Sequence, residues 1–357
     1  MTNEIIQQEM SFVPKGKFPS TRYQGSKQKF IDWLWLSVRD FKFENVLDAF
    51  GGTGCFAYKA KQEGKSVTYN DILPFNHIIG QALIENQGEK LSLEDVSDIL
   101  DLETARIAPT FIADTFHDVY YTDEENLWLD KVSYNIRNIA NPIKRAMAYF
   151  ALFQACIIKR PYNLFHRKNL YVRQKEVKRT FGNKKTWDTP FETHFRKFVN
   201  EINLASFNSH TLCKSICEDA SGIKGEFDLV YLDPPYIGLS GKNVDYAAFY
   251  HFLNGICDYD EWPSKIDYSS PHLRMKCVQS PWCDKTRIKS EFEKTISHYA
   301  GAAILAISYR SDGIPTIDEI SEMLRKHFSK LSIYESRNIR YVLSTSTSQE
   351  VLLLARN

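Results

Sequence analysis

The run Phe227-Asp228-Leu229-Val230-Tyr231-Leu232 is apolar, rich in strand formers, and stops at Asp233-Pro234-Pro235-Tyr236. A buried strand that ends in a proline-stiffened turn predicts a sheet with a functional edge. In open α/β sheets, ligands bind at the carboxyl ends of strands. The turn gathers a carboxylate, a backbone carbonyl and an aromatic ring. A flat, amino-bearing ring such as adenine can stack on Tyr236 while its NH2 group donates to Asp233 and to the Pro234 carbonyl. Taken alone, the same four residues also suit a plain tight turn with Tyr236 packed on the core.

The rest of the chain supplies strands and helices in alternation. Asn45 to Phe50 reads as a strand, Gly51-Gly52-Thr53-Gly54 as a glycine turn, and Cys55 to Gln62 as a helix. Glycines there let backbone approach a ligand closely. Ser66 to Asn70 reads as a second strand ending in Asp71, about twenty residues after the turn, the spacing of a carboxylate that accepts both hydroxyls of a ribose. Asp71 also suits a helix N-cap. Arg22-Tyr23-Gln24-Gly25-Ser26-Lys27 reads as a turn entering a helix, able to take an anion through free N–H groups and Lys27. Helical periodicity marks Leu91–Leu102, Glu124–Ile139, Ile143–Ile158 and Ile317–Phe328. Further strands are expected at Ser209–Ile216, Gly301–Tyr309, Leu331–Glu335 and Glu350–Leu354. Residues 237–290, with five glycines and prolines singled out (Gly238, Gly241, Pro263, Pro271, Pro281) and an aromatic-rich stretch at Tyr246–Phe252, read as an irregular segment lying over the site. This order predicts a doubly wound α/β sheet with an antiparallel pair at its end.

Charge is unevenly spread. Between Lys159 and Lys185 stand ten basic residues against one acidic residue, Glu176, while the whole chain totals +1. That leaves −8 for the remainder. Aromatics and amides are interleaved, among them Tyr162, Asn163, Phe165, Asn169 and Tyr171. Lysines and arginines supply phosphate contacts, and Asn, Arg and aromatic side chains read or stack on bases. The candidate DNA contacts are Arg160, Asn163, His166, Arg167, Lys168, Arg173, Lys178 and Arg179. A solvated basic face is the plain alternative, in which case the substrate is a small molecule.

Several classes are set aside. At 357 residues, with 43% hydrophobic and 25% charged residues, the composition is that of a globular chain able to hold one large and one smaller unit. Seven scattered cysteines, none in a Cys-x-x-Cys pair, read as free thiols in a reducing compartment, with no metal site expected. Met1 to Met10 is polar and reads as no signal peptide, and no apolar run reaches the ~18 residues that span a bilayer. A cytoplasmic monomer away from membranes is expected.

These pieces, in this order, resemble the D12-class, alpha-group (Dam-like) N6-adenine-specific DNA methyltransferases. The residues that carry the resemblance are Tyr23-Gln24-Gly25-Ser26-Lys27, Phe50-Gly51-Gly52-Thr53-Gly54, Asp71 and Asp233-Pro234-Pro235-Tyr236, with Ile307 to Gly313 also similar. It covers residues 20–88 and 209–355. The resemblance implies a Rossmann-like sheet with an inserted, largely helical target-recognition domain. The expected division is an arm at 1–20, a catalytic domain at 21–88 and 209–357, and a DNA-binding insertion at 89–208.

It also implies S-adenosyl-L-methionine as methyl donor and double-stranded DNA as partner, with a separate restriction endonuclease as a candidate companion. Tyr23, Lys27, Asp48, Phe50, Gly52, Gly54, Asp71, Asp219 and Asp233 are then expected at the cofactor, Lys27 through its carboxylate. Asp219 is expected at its adenine amino group, and Asp233, Pro234, Pro235 and Tyr236 at the reacting base. Cytosine N4 and an RNA adenine present a similar amine, and a non-catalytic DNA-binding protein on the same fold is an alternative from another class.

Overall fold

A computed structural model describes residues 16–175, 184–238, 245–276, 279–336 and 349–357. Lys178 and Arg179 lie outside them. Among the described residues nine strands occur in chain order: β1 Asn45–Asp48, β2 Ser66–Asn70, β3 Cys213–Ile216, β4 Leu229–Leu232, β5 Ile237–Gly238, β6 Ile304–Arg310, β7 Gly313–Ile314, β8 Lys330–Glu335 and β9 Glu350–Arg356. Seven of them form one sheet in the order β3-β2-β1-β4-β6-β9-β8, and β5 pairs with β7 separately. From β3 through β6 every pairing is parallel, whereas β9 runs antiparallel to both its neighbours. The expected mixed α/β sheet with a closing antiparallel pair is therefore present.

The central strands are covered on both sides, and their residues alternate between two cores as the period of a strand requires. Val46, Leu229, Tyr231, Ile304 and Ala306 enter one cluster. Leu47, Val230, Leu232, Leu305 and Ile307 enter the other. Helices Ile288–His298 and Ile317–Arg325 pack in the second cluster. The first continues without a break into the helices between Leu93 and Ala205. Their centre is Pro142–Ile158, started by Asn141, whose side chain accepts from the amides of Ile143 and Lys144, and buried nearly all round. A helix apolar on every face belongs inside a protein. Helix Phe191–Ala205 lies along it.

Some elements differ from expectation. The third strand begins only at Cys213, and the helix after β7 stops at Arg325. The segment read as irregular holds helices Tyr246–Phe249, His251–Cys257 and Trp262–Lys265. Their burial explains this: His251, Phe252, Leu253, Ile256 and Trp262 are all in the core. Aromatic packing overrides the proline and glycine signals that suggested a loop.

The basic stretch also divides in two. Arg160 is 1% exposed. Its guanidinium donates to the carbonyls of Leu164, Tyr120 and Arg167 and to the Asn169 side chain, stitching the turn from Pro161 to Asn169 onto the fold. Arg173 is buried too and pairs with Glu125, which also holds the buried Lys159. These cations depart from the expected phosphate-facing role because their donors are spent on buried oxygens. Arg160→Met should therefore lower the free energy of unfolding by about 3 kcal/mol, since it strands those acceptors. Chemical denaturation checks this; an unchanged midpoint would refute the structural role.

Candidate active site

Parallel pairing puts the carboxyl ends of β3, β2, β1 and β4 side by side, with Asp48 opposite both Tyr69 and Tyr231. Everything that follows these strands meets at one edge. A cavity of about 370 Å3 opens there, lined by residues from all four strand ends and from the turn around Lys27. Its size and largely preformed walls suit a nucleoside-sized ligand.

The glycine turn forms its floor. Gly52 and Gly54 have φ of +52° and +75°, the left-handed region that side chains disfavour. Gly51 is required for another reason: a Cβ there would stand 2.0 Å from the Tyr69 ring. The Tyr69 hydroxyl donates to the Gly52 carbonyl at 2.7 Å. Asp48 accepts from the Ala57 amide at 3.1 Å, tying the strand end to the helix that follows the turn. Its other oxygen, Oδ1, is buried with no partner among the described residues. A buried unpaired oxygen beside a cavity fits a ligand donor, the methionine ammonium of the implied cofactor being the right chemistry. Burial pushes the Asp48 carboxyl well above its ordinary value, and the Ala57 amide only partly opposes this.

Asp71 closes the turn from the next strand. Its oxygens accept from the amides of Leu73 and Gly52, each at 2.9 Å, and from Asn76 Nδ2 at 3.0 Å. The helix it precedes starts at Pro74, so Asp71 fastens the turn before the helix rather than serving as the cap itself. Burial pushes its carboxyl up to about 6 against those hydrogen bonds. Asp219 follows β3 and accepts from the Ser221 amide and hydroxyl at 2.8 and 2.7 Å. Burial would raise its carboxyl, but Ser221 outweighs burial and holds it below its ordinary value. Asn70 joins these ends, donating to the carbonyls of Ala49 and Glu218.

The N-terminal turn supplies the roof. Tyr23 stacks with Tyr250 at 4.6 Å and with Tyr246 at 5.3 Å between ring centroids. Tyr246, Gln279 to Cys283 and Trp282 also line the cavity, and Trp282 meets Phe50 edge-on at 4.9 Å. The sequence places segment 237–290, with Pro281 and the aromatic stretch Tyr246–Phe252, over the site, but assigns no individual role to Tyr246, Tyr250, Gln279 or Trp282. Ser26 links the two turns through Thr53, their hydroxyl oxygens 3.3 Å apart.

Lys27 departs most from expectation. It is 6% exposed, and Nζ lies 3.0 Å from Asp233 Oδ1 and 2.9 Å from Glu350 Oε1. Two of its three donors are thus committed to carboxylates of the protein. Burial works against its charge, but Asp233 and Glu350 outweigh burial and hold the proton more tightly than usual. Asp233 is 20% exposed and faces the cavity. Burial and Glu350 push its carboxyl up, Lys27 pulls it down, and it settles at about 7. The ion pair uses Oδ1, which leaves Oδ2 to a ligand. Tyr236 lies just outside the cavity lining, its ring centroid 4.6 Å from the Arg310 guanidinium carbon.

Of the DNA candidates, Arg167 and Lys168 are exposed, Asn163 and His166 half-buried. They sit on the turn that Arg160 stitches down, and the Phe165 amide donates to the Phe249 carbonyl on the helix that carries Tyr246. The turn is thereby fixed to the cavity wall. Among the described residues no cluster of three or more metal-ligating side chains occurs, and no helix is long and apolar enough to cross a membrane.

The sheet, the glycine turn and the acidic strand ends define a Rossmann-like enzyme of the nucleotide-binding type. The chain belongs to the D12 class N6 adenine-specific DNA methyltransferases, whose family model matches residues 23–295. The type II methyltransferase M2.HphI of Haemophilus parahaemolyticus is 28% identical over 351 residues, 96% of this chain and 98% of its own length. M.NlaIII of Neisseria lactamica is 24% identical, covering 89% of this chain and 92% of its own. M.FokI of Planomicrobium okeanokoites is 25% identical over 86% of this chain, which spans 47% of that longer protein.

Proposed function

We propose that this methyltransferase moves a methyl group from S-adenosyl-L-methionine to the N6 atom of an adenine swung out of a specific DNA site, and that it works as the modification half of a restriction–modification pair. The observation that carries the chemistry is Asp233 at the end of β4, facing the same cavity as the glycine turn of the adjacent strand β1. The type II naming of its relatives supports the biological setting.

When bound, S-adenosyl-L-methionine supplies an electrophilic methyl group on a positively charged sulfur. Asp71 is suited to accept from the ribose hydroxyls, and the unpaired Asp48 Oδ1 from the methionine ammonium. Glu218, Asp219 and Ile72 line the neighbouring part of the cavity, where the cofactor's adenine is assigned. The target N6 lone pair is delocalised into its ring and is a weak nucleophile. Asp233 Oδ2 and the Pro234 carbonyl accept its two hydrogens and draw the nitrogen toward tetrahedral geometry, freeing the lone pair. Asp233 then takes the proton that N6 loses once it carries the methyl group; a carboxyl near neutrality suits that exchange. Positioning and charge supply the rest. An N6 inside a duplex is out of reach, so the base must flip. Tyr236 is assigned the stacking face, backed by Arg310.

The target-recognition role is assigned to segment 89–208, and within it to the turn that presents Tyr162, Asn163, His166, Arg167 and Lys168. Tyr162 is 72% exposed and, like Asn163, has positive φ. Residues held in that conformation at an exposed turn point to function.

Asp233→Asn should lower single-turnover methyl transfer by about a thousandfold or more, while thermal unfolding shows no loss of stability. Turnover near that of the unaltered protein would refute its role. Arg167→Ala with Lys168→Ala should weaken DNA binding about tenfold and reduce the slope of log K against log salt by about two. A slope that does not move would place the DNA on another face.

A further inference from the structure

The loop that follows helix Trp262–Lys265 lies outside the segment assigned to target recognition, and none of residues 266–276 belongs to the cavity lining. It is built with care all the same. An antiparallel bridge between Ile266 and Met275 closes its base, and the Asp267 amide donates to the Arg274 carbonyl at 2.8 Å. The Asp267 carboxylate accepts from the Ser269 amide and hydroxyl and from Arg274 Nε. Leu273, near its tip, has a φ of +54°. A leucine held in the left-handed region marks a backbone that its surroundings impose, and such positions gather at functional surfaces.

What holds the loop is a buried pair of side chains that it shares with the turn at 161–169. Tyr120 is fully buried, and its hydroxyl oxygen lies 2.7 Å from the carbonyl oxygens of both Phe165 and His272. One phenol hydrogen serves one of them. His251 supplies the other donor: its Nε2 is 3.2 Å from the Phe165 carbonyl and 2.8 Å from the Tyr120 hydroxyl. Burial pushes the His251 ring down to about 3, so it is neutral near pH 7. Its Nδ1 has no hydrogen-bond partner among the described residues, which agrees with the hydrogen sitting on Nε2. A satisfied buried network of this kind rigidifies what it holds. Here it fixes two loops about a hundred residues apart in the chain side by side. Their outward sides match. Arg167 and Lys168 are exposed on the turn, and Tyr268 (63%) and Arg274 (56%) on the loop. Arg274 gives only Nε to Asp267 among the described residues, so the outer nitrogens of its guanidinium remain for a partner. Lys276 precedes Gln279 of the cavity wall by three residues, a reach of ~10 Å at most, so the base of the loop stays at the cavity mouth.

We propose that loop 267–274 is a second DNA-contacting loop, with Arg274 on a phosphate of the duplex, and that it works beside Arg167 and Lys168 as the other of two prongs at the cavity mouth. The proposal rests on the DNA reading given above. It adds to the insertion a contact from the part of the chain that follows the Asp-Pro-Pro-Tyr turn. A guanidinium suits the task, since its fork can keep Asp267 on one nitrogen while the others reach a phosphate oxygen. Phosphate contacts of this kind position the duplex and carry no sequence information themselves.

Binding of the full chain to a short fluorescein-labelled duplex of mixed sequence, followed by anisotropy over a series of salt concentrations, tests this. Arg274→Gln should weaken binding about threefold and reduce the slope of log K against log salt by about one. Arg274→Lys, which keeps the charge, should retain the slope. Asp267→Asn breaks the pair inside the loop and spares the arginine, and it should bind at least as tightly as the unaltered protein. If Asp267→Asn instead weakens binding as much as Arg274→Gln does, Arg274 serves only the loop, and the proposal is overturned. An unmoved slope in Arg274→Gln, with the slope still reduced by the joint replacement of Arg167 and Lys168, overturns it too and leaves the DNA reading standing. If neither replacement moves the slope, the DNA lies on another face, and that reading falls together with this inference.

Discussion

Parallel pairing of β1 with β4 is the constraint on which the site depends. It sets Asp48 beside Tyr231, so the glycine turn after one strand and the Asp-Pro-Pro-Tyr turn after the other leave the sheet at the same edge. These segments are about 180 residues apart in the chain. The first turn is glycine-rich and the second carries Asp233 and Pro235, and the sheet brings both to one cavity. The parallel neighbours β2 and β3 extend the edge with Asp71, Glu218 and Asp219.

Lys27 ties the edge together. It brings the N-terminal turn to Asp233 on one side and to Glu350 of the last strand on the other. Three distant parts of the chain thus meet at one ammonium group. The site gathers groups that would be more stable elsewhere: Asp48, Asp71 and Asp233 are all pushed upward by burial. Perturbed carboxyls of this kind cluster where chemistry is done. The surrounding layers provide the compensation, with two apolar cores pressed on opposite faces of the sheet.

Much of this was legible in the residues because the motifs sit where local rules are strong. The helix Cys55–Gln62 and the strand Ser66–Asn70 occur with the bounds expected, since a glycine turn and a polar-to-apolar switch delimit them. The cavity gathers Tyr23, Lys27, Asp48, Phe50, Gly52, Asp71, Asp219 and Asp233. What stayed hidden depends on tertiary packing. Burial of a cation leaves no mark in composition, so Arg160 and Arg173 read as surface charges although their partners lie inside the fold. Glu350 carries no local signal, because its meaning comes from a lysine more than three hundred residues away. Tyr246 and Tyr250 read as an aromatic stretch in an irregular segment over the site, but nothing local shows that both stack on Tyr23 or that Tyr246 enters the cavity lining.

On the proposed function, the amine held at Asp233 is the N6 of a DNA adenine. The most direct measurement is transfer of labelled methyl from S-adenosyl-L-methionine to unmethylated duplex DNA, followed by nucleoside analysis of the product. Label is expected in N6-methyladenine alone. Label in N4-methylcytosine would contradict the base assignment while leaving the fold and the grip in place. Label that enters RNA and not DNA would contradict the claim itself.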